Sequence, residues 1–259
     1  MTQLASPTPV DAPRLLVIPA YNEEQNLPRL LADLESRLSL FTPGSRAFVV
    51  DDGSSDGTAD LIRAYQGPIP LELIAMPSNR GPGAAFARGF NAALAAHTAE
   101  AFVITLEADN TSDLDVLEVM LERAADGAGL VLASVHGGGQ MLNVTRSRRL
   151  LSAGAGVAVR HALALDARTV SSFFRVYRAS VLRRAIARHG DSLIQERGFA
   201  CKAELLVKLN ALGVRIDEVP VDVDAARRVG TSKMPVLRTM AGYGRLFVRE
   251  RLQRESVKA

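Results

Sequence analysis

The chain has 259 residues, 47% hydrophobic and 23% charged, values ordinary for one sizeable globular domain with a substantial core. Its single cysteine, Cys201, excludes an intramolecular disulfide and a multi-cysteine metal site, and a net charge of +3 is too mild to call for nucleic acid. No run approaches the roughly 18 apolar residues that a bilayer span needs, and residues 1–13 read as a disordered tail without a leader's basic start.

These features lead us to expect a cytoplasmic protein, at most peripheral at the cytoplasmic membrane face. In chain order, 14–19 (RLLVIP) reads as a first strand, followed by Leu27, Leu30, Leu31, Leu34 and Leu38 at helical spacing. Strand 46–50 and helix 56–65 come next, then strand 71–76 and an alanine-rich helix over 83–97. Strand 101–106, a helix near 112–125 and strand 128–134 complete an alternation that signals a mostly parallel sheet flanked by helices. Beyond a glycine stretch at 137–139 the pattern predicts an arginine-rich helix 147–163, a strand near 173–177, helices near 179–188 and 198–212, and a strand at 214–221. A basic loop and a helix over 236–254 end the chain, so that 14–234 forms one domain and 235–259 a basic amphipathic extension.

Ligands of such sheets bind beyond the carboxyl ends of the strands. Three of the first four strand ends are polar: Pro19-Ala20-Tyr21-Asn22-Glu23-Glu24, Asp51-Asp52-Gly53-Ser54-Ser55-Asp56-Gly57-Thr58, and Glu107-Ala108-Asp109-Asn110. The third strand is followed by Asn79-Arg80-Gly81-Pro82-Gly83. Singly these read as turns and helix caps. Together they gather carboxylates that repel unless a cation lies between them. Glu107 and Asp109, two apart on an extended chain, point the same way and suit one hard divalent ion that shares its shell with phosphate oxygens.

The set resembles the family-two inverting glycosyltransferases of GT-A, Rossmann-like fold, and among them the dolichyl- or polyprenyl-phosphate mannose synthase group. PAYNEE, DDGSSDGT, NRGPGAAFARG and EAD stand in that group's order over 15–112, and Arg148-Arg149-Leu150-Leu151-Ser152, Ser172-Phe173-Phe174-Arg175 and Arg227 with Gly230-Thr231-Ser232-Lys233 extend the likeness to about residue 234. The resemblance implies a nucleotide-sugar site of Pro19, Ala20, Tyr21, Glu23, Asp51, Asp52, Gly81 and Ser232. It implies Mg2+ or Mn2+ on Glu107 and Asp109, and Arg148, Arg227 and Lys233 acting with Asp109 on donor or acceptor phosphate. The implied donor is a GDP-mannose or UDP-glucose type of nucleotide sugar, and the implied acceptor a polyprenyl phosphate met at a membrane surface.

Four positions depart from the group's pattern: Glu107 stands for Asp, Val135 for Arg, Thr169 for Asp and Phe173 for Gly. A sugar hydroxyl needs a carboxylate base, whereas a phosphate monoester, with a second pKa near ~6, attacks already ionised. Where hydroxyl-acting relatives carry a Glu-Asp base and a Gln-x-x-Arg-Trp motif, this chain has Gln195-Glu196-Arg197-Gly198 and no tryptophan. That favours the lipid phosphate, with Glu196 and Glu204 left as candidate bases. A soluble saccharide acceptor, or a nucleotide-sugar-binding protein that has lost catalysis, are the rival readings.

Overall fold

The computed structural model describes residues 9–136, 138–144, 159–160, 167–170, 172–231 and 233–258. Seven strands form one sheet in the order β3-β2-β1-β4-β7-β5-β8. They are β1 (Arg14–Ala20), β2 (Arg46–Asp51), β3 (Leu71–Ala75), β4 (Phe102–Thr105), β5 (Leu130–Ser134), β7 (Arg175–Arg178) and β8 (Ile216–Pro220). All neighbours pair in parallel except β7, which runs antiparallel between β4 and β5. A small parallel pair, β6 (Met141–Leu142) and β9 (Val223–Asp224), stands apart.

Six of β1's seven residues are buried, as a central strand covered on both faces requires. Edge strand β3 instead mixes exposed and half-buried positions. Because side chains alternate along β1, Leu15 and Val17 join one core with Phe48, Phe86 and Phe90, while Leu16 and Ile18 join another with Leu27, Leu34 and Val49. The second core is roofed by α1 (Leu27–Glu35), α2 (Thr58–Ala64) and α4 (Leu117–Ala125), and the first by α3 (Pro82–Ala96), α5 (Ala179–His189) and α6 (Cys201–Ala211). Leu246 of the last helix, α7 (Val236–Lys258), joins that first core. Gly89 lets α3 press on the sheet, since a Cβ there would fall 2.2 Å from the Val17 Cγ1.

The expected mostly parallel sheet is present, with the strand near 173–177 reversed in direction. Of the expected tail, Ala12 and Pro13 lie against the sheet: Ala12 is buried and the Pro13 carbonyl accepts the Phe102 N–H at 2.9 Å. Of the arginine-rich helix over 147–163, only Val159 and Arg160 fall among the described residues.

Candidate active site

β1, β2 and β4 end at one rim of the sheet, and the strand order reverses at β1, with β2 and β3 on one side of it and β4 on the other. A crevice opens there because β4 stops pairing at Val17↔Thr105 while β1 runs on to Ala20. Pro19 is tolerated in this central strand because its missing N–H would face β4 beyond the last paired residue. Half-buried Tyr21 follows directly.

At the end of β2, Asp51 Oδ1 accepts the Ser54 N–H at 3.0 Å. Asp52 accepts the N–H groups of Arg80 and Gly81, each at 2.7 Å. Gly81 has φ of 89°, and a Cβ there would lie 2.5 Å from the Arg197 carbonyl oxygen. Asp52 thus shapes the loop that enters α3 by holding its backbone. Burial pushes its carboxyl above the ordinary value, against the pull of the two N–H groups.

Across the crevice, Asp109 is buried and both its oxygens have partners. Oδ1 accepts the N–H and hydroxyl of Thr111 at 3.1 and 2.7 Å, and Oδ2 accepts Nε of Arg228 at 2.8 Å together with its Nη2. Burial first, and then the neighbouring Asp109, push Glu107 up to about 7, while Lys202 and Arg228 pull it down. A third carboxylate, Glu23, accepts Lys233 Nζ at 2.7 Å on one oxygen and Asn26 Nδ2 at 2.7 Å on the other. Lys233 Nζ also donates to the Asn22 carbonyl at 2.5 Å.

Asn26 links these groups to the loop after β9. Its side chain donates to the Val229 carbonyl at 3.1 Å and accepts the Val229 N–H at 2.8 Å. Beside Asp51 and Asp52, the rim therefore collects the carboxylates of Glu23, Glu107 and Asp109 and the cations Arg228 and Lys233. Glu107 and Asp109 offer hard carboxylate oxygens two residues apart, and a cation already bridges to one of them. That donor chemistry fits Mg2+ or Mn2+. No cluster of three or more His, Cys, Asp or Glu suited to a metal occurs among the described residues, so one or two carboxylates would have to suffice.

Residues 15–186, more than half of the chain, match Glycosyl transferase family 2. The chain belongs to that family. It is 32% identical over 223 residues to an undecaprenyl-phosphate mannosyltransferase of Micrococcus luteus, covering 85% of this chain and 86% of the relative. It is 29% identical to a polyprenol monophosphomannose synthase of Mycolicibacterium smegmatis, covering 85% and 80%. Among solved structures it is similar to glucosyl-3-phosphoglycerate synthase from Mycobacterium tuberculosis in complex with Mn2+, UDP and glucosyl-3-phosphoglycerate, with a TM-score of 0.61 at 21% identity over 94% of this chain and 80% of that one. S. aureus TarS 1–349 gives a TM-score of 0.54 at 18% identity, and the chain spans 60% of its length. These likenesses establish the GT-A fold and a glycosyltransferase similar to polyprenyl-phosphate glycosyltransferases.

In this family 2 enzyme the motif cations do not all reach the crevice. Arg227 bonds Asp33 of α1 at 2.9 Å, and the adjacent Arg228 is the one that faces Asp109. Arg148 and Ser232 lie outside the described residues. Arg175, fully buried, donates to the carbonyls of Ser172 at 2.8 Å and Lys202 at 3.0 Å and so stitches the loop before β7 to α6. Lys202 is buried with its Nζ 4.1 Å from the Phe173 ring centroid, which gives that departure from the family pattern a role as an apolar cover.

Glu196 and Glu204, the candidate bases, are both buried and paired. Glu204 accepts Lys208 Nζ at 2.6 Å, Arg249 Nη2 at 2.7 Å and the N–H groups of Gln195 and Glu196. Glu196 accepts Arg245 Nη2 at 2.8 Å.

Proposed function

We propose that this chain transfers a sugar from a nucleoside-diphosphate sugar of the GDP-mannose or UDP-glucose type to a polyprenyl or dolichyl phosphate, with inversion. The observation that carries this reading is the pairing of Glu196 and Glu204. Each carboxylate is itself buried and ion-paired, so neither is at hand to deprotonate a sugar hydroxyl. A phosphate acceptor needs no such base, because its second ionisation lies near ~6. The printed names of the Micrococcus luteus and Mycolicibacterium smegmatis relatives point the same way.

In this reading Pro19, Ala20, Tyr21, Glu23, Asp51, Asp52 and Gly81 shape the nucleoside side of the crevice. Glu107 and Asp109 hold Mg2+ or Mn2+, which would stabilise the charge that develops on the departing diphosphate. Arg228 and Lys233, each paired to a carboxylate of the rim, supply further positive charge where donor and acceptor phosphates meet. Arg148 and Ser232 join them by motif. Residues 14–234 form the catalytic domain, which works at the cytoplasmic membrane face because its acceptor is a lipid. No helix among the described residues is long and apolar enough to cross a membrane.

The test is a screen of nucleotide sugars for Mn2+-dependent thermal stabilisation, followed by transfer to a short polyprenyl phosphate and, in parallel, to free saccharides. Transfer to the lipid phosphate is expected. Transfer to saccharides alone would overturn the reading, and tight donor binding with no transfer to either would reveal a lapsed enzyme.

A further inference from the structure

Helix α7 carries six exposed large apolar side chains: Val236, Leu237, Met240, Phe247, Val248 and Leu252. Leu237 is 86% exposed, Leu252 60% and Val248 54%, so these groups project into solvent. At 3.6 residues per turn they share the half of the helix centred on Gly244. A Cβ at Gly244 would meet nothing within 4 Å, whereas one at Gly242 would lie 2.9 Å from the Ala200 Cβ. The Gly242 side, with buried Thr239 and Leu246, is the docked face.

The helix cannot roll to hide its outer face. Arg245 and Arg249 bind Glu196 and Glu204 beneath it, and rotation would strand buried carboxylates. An exposed apolar stripe this long marks an interaction surface. We propose that the outer face of α7 lies in the headgroup layer of an anionic lipid bilayer, parallel to its plane.

Charge selects this occupant. Residues 236–258 carry six basic and two acidic residues, and exposed Arg238 borders the stripe. A second copy docked on the same patch would oppose basic flank to basic flank. An anionic surface complements them, and the apolar stripe enters the acyl boundary as interfacial helices do. The placement also serves the reaction. The loop Glu196–Gly198 under α7 touches Gly81 and Gly83 at the start of α3, so a seated helix holds the crevice rim near the bilayer. This purpose rests on the proposed lipid acceptor; the binding itself is measured apart from it.

Flotation of the full chain with vesicles free of polyprenyl phosphate, of phosphatidylcholine alone or with phosphatidylglycerol, tests the inference. Binding to the anionic vesicles is expected. The double variant Leu237→Gln/Val248→Gln should lower it by about tenfold or more, and Arg238→Glu should lower it on anionic vesicles alone. Both variants keep the wild-type melting temperature and transfer to a water-soluble short-chain acceptor. Absent flotation, or equal flotation by the double variant, overturns the inference. A dimer by light scattering that the double variant dissolves, without vesicle binding, overturns it in favour of a second copy. Flotation without any lipid-phosphate transfer supports the surface and sinks the proposed reaction.

Discussion

Arg228 and Asp109 form a partly buried ion pair at the carboxyl end of β4, with Nε 2.8 Å from Oδ2. The guanidinium occupies the carboxylate edge on which a divalent cation would bind. If Asp109 holds Mg2+ or Mn2+ as proposed, Arg228 and the metal would compete for one oxygen, and donor binding would have to exchange them. Replacing Arg228 with Ala should tighten Mn2+ binding in the presence of a nucleoside diphosphate by about tenfold, because the competing charge is gone. Turnover should fall at saturating metal. Mn2+ titration by electron spin resonance reads the first effect and steady-state kinetics the second; unchanged Mn2+ affinity would remove Arg228 from the exchange.

Asp109→Ala should abolish transfer while lowering stability by about 1–3 kcal/mol, the scale of the Thr111 hydrogen bonds and the charge-assisted Arg228 pair it deletes. Glu107→Asp keeps the charge and should retain activity. Near-normal turnover of Asp109→Ala, or indifference to EDTA, would count against metal assistance.

Lys233→Ala should lower turnover more than donor affinity, since positive charge matters most as the leaving group departs. Arg227→Ala should behave differently. Its partner is Asp33, half-exposed on α1, and the pair contributes about 1 kcal/mol or less to stability. If kinetics show Arg227→Ala as damaging as Lys233→Ala, the arginine must leave Asp33 during turnover.

Glu204 is completely buried and gathers Lys208, Arg249 and two backbone N–H groups. Glu204→Ala leaves these donors unsatisfied and should cost about 3–5 kcal/mol in urea unfolding. A loss of activity without loss of stability would instead restore Glu204 as a candidate base.

Tyr65 donates to Glu35 at 2.8 Å, and burial followed by that bond raises its pKa to about 12. The folded state therefore favours the neutral phenol. Its contribution is full below the unfolded value near 10 and is lost as pH rises from there through about 12. Tyr65→Phe should flatten the decline in stability over that interval and leave stability between pH 6 and 9 with a similar slope. Unfolding curves across the range check this.

Periodicity made most elements legible, because β1, β2, β4 and β5 are continuous apolar runs and α1 shows its buried leucines at helical spacing. Direction was not legible. Arg175–Arg178 reads as a strand either way, and only pairing with β4 and β5 makes it antiparallel. The motifs named Glu23, Asp109 and Lys233, which the structure brings to one rim. Between Arg227 and Arg228 the sequence offers no distinction, since the backbone leaving the short 3-10 turn at Ala225–Arg227 decides which side chain faces Asp109. No motif points to Asn26, whose side chain joins two loops far apart in sequence. Lys202 belongs to no motif either, and only the fold sets it against the Phe173 ring.

The reversed β7 has a consequence for how such an enzyme could be remade. The chain leaves the sheet at Ser134, at the crevice rim, and returns at Arg175 on the neighbouring strand, at the same rim. The strands that bracket residues 135–174 thus stand side by side, about 5 Å apart with Leu132 opposite Arg175, a ready pair of anchors for a connecting loop. Closing such a loop costs little more when it lengthens, because the entropy grows only logarithmically with its size. A different segment exchanged between those anchors would leave every register of the seven-stranded sheet in place and disturb only the small β6–β9 pair, so this stretch can change without touching β1, β2 and β3.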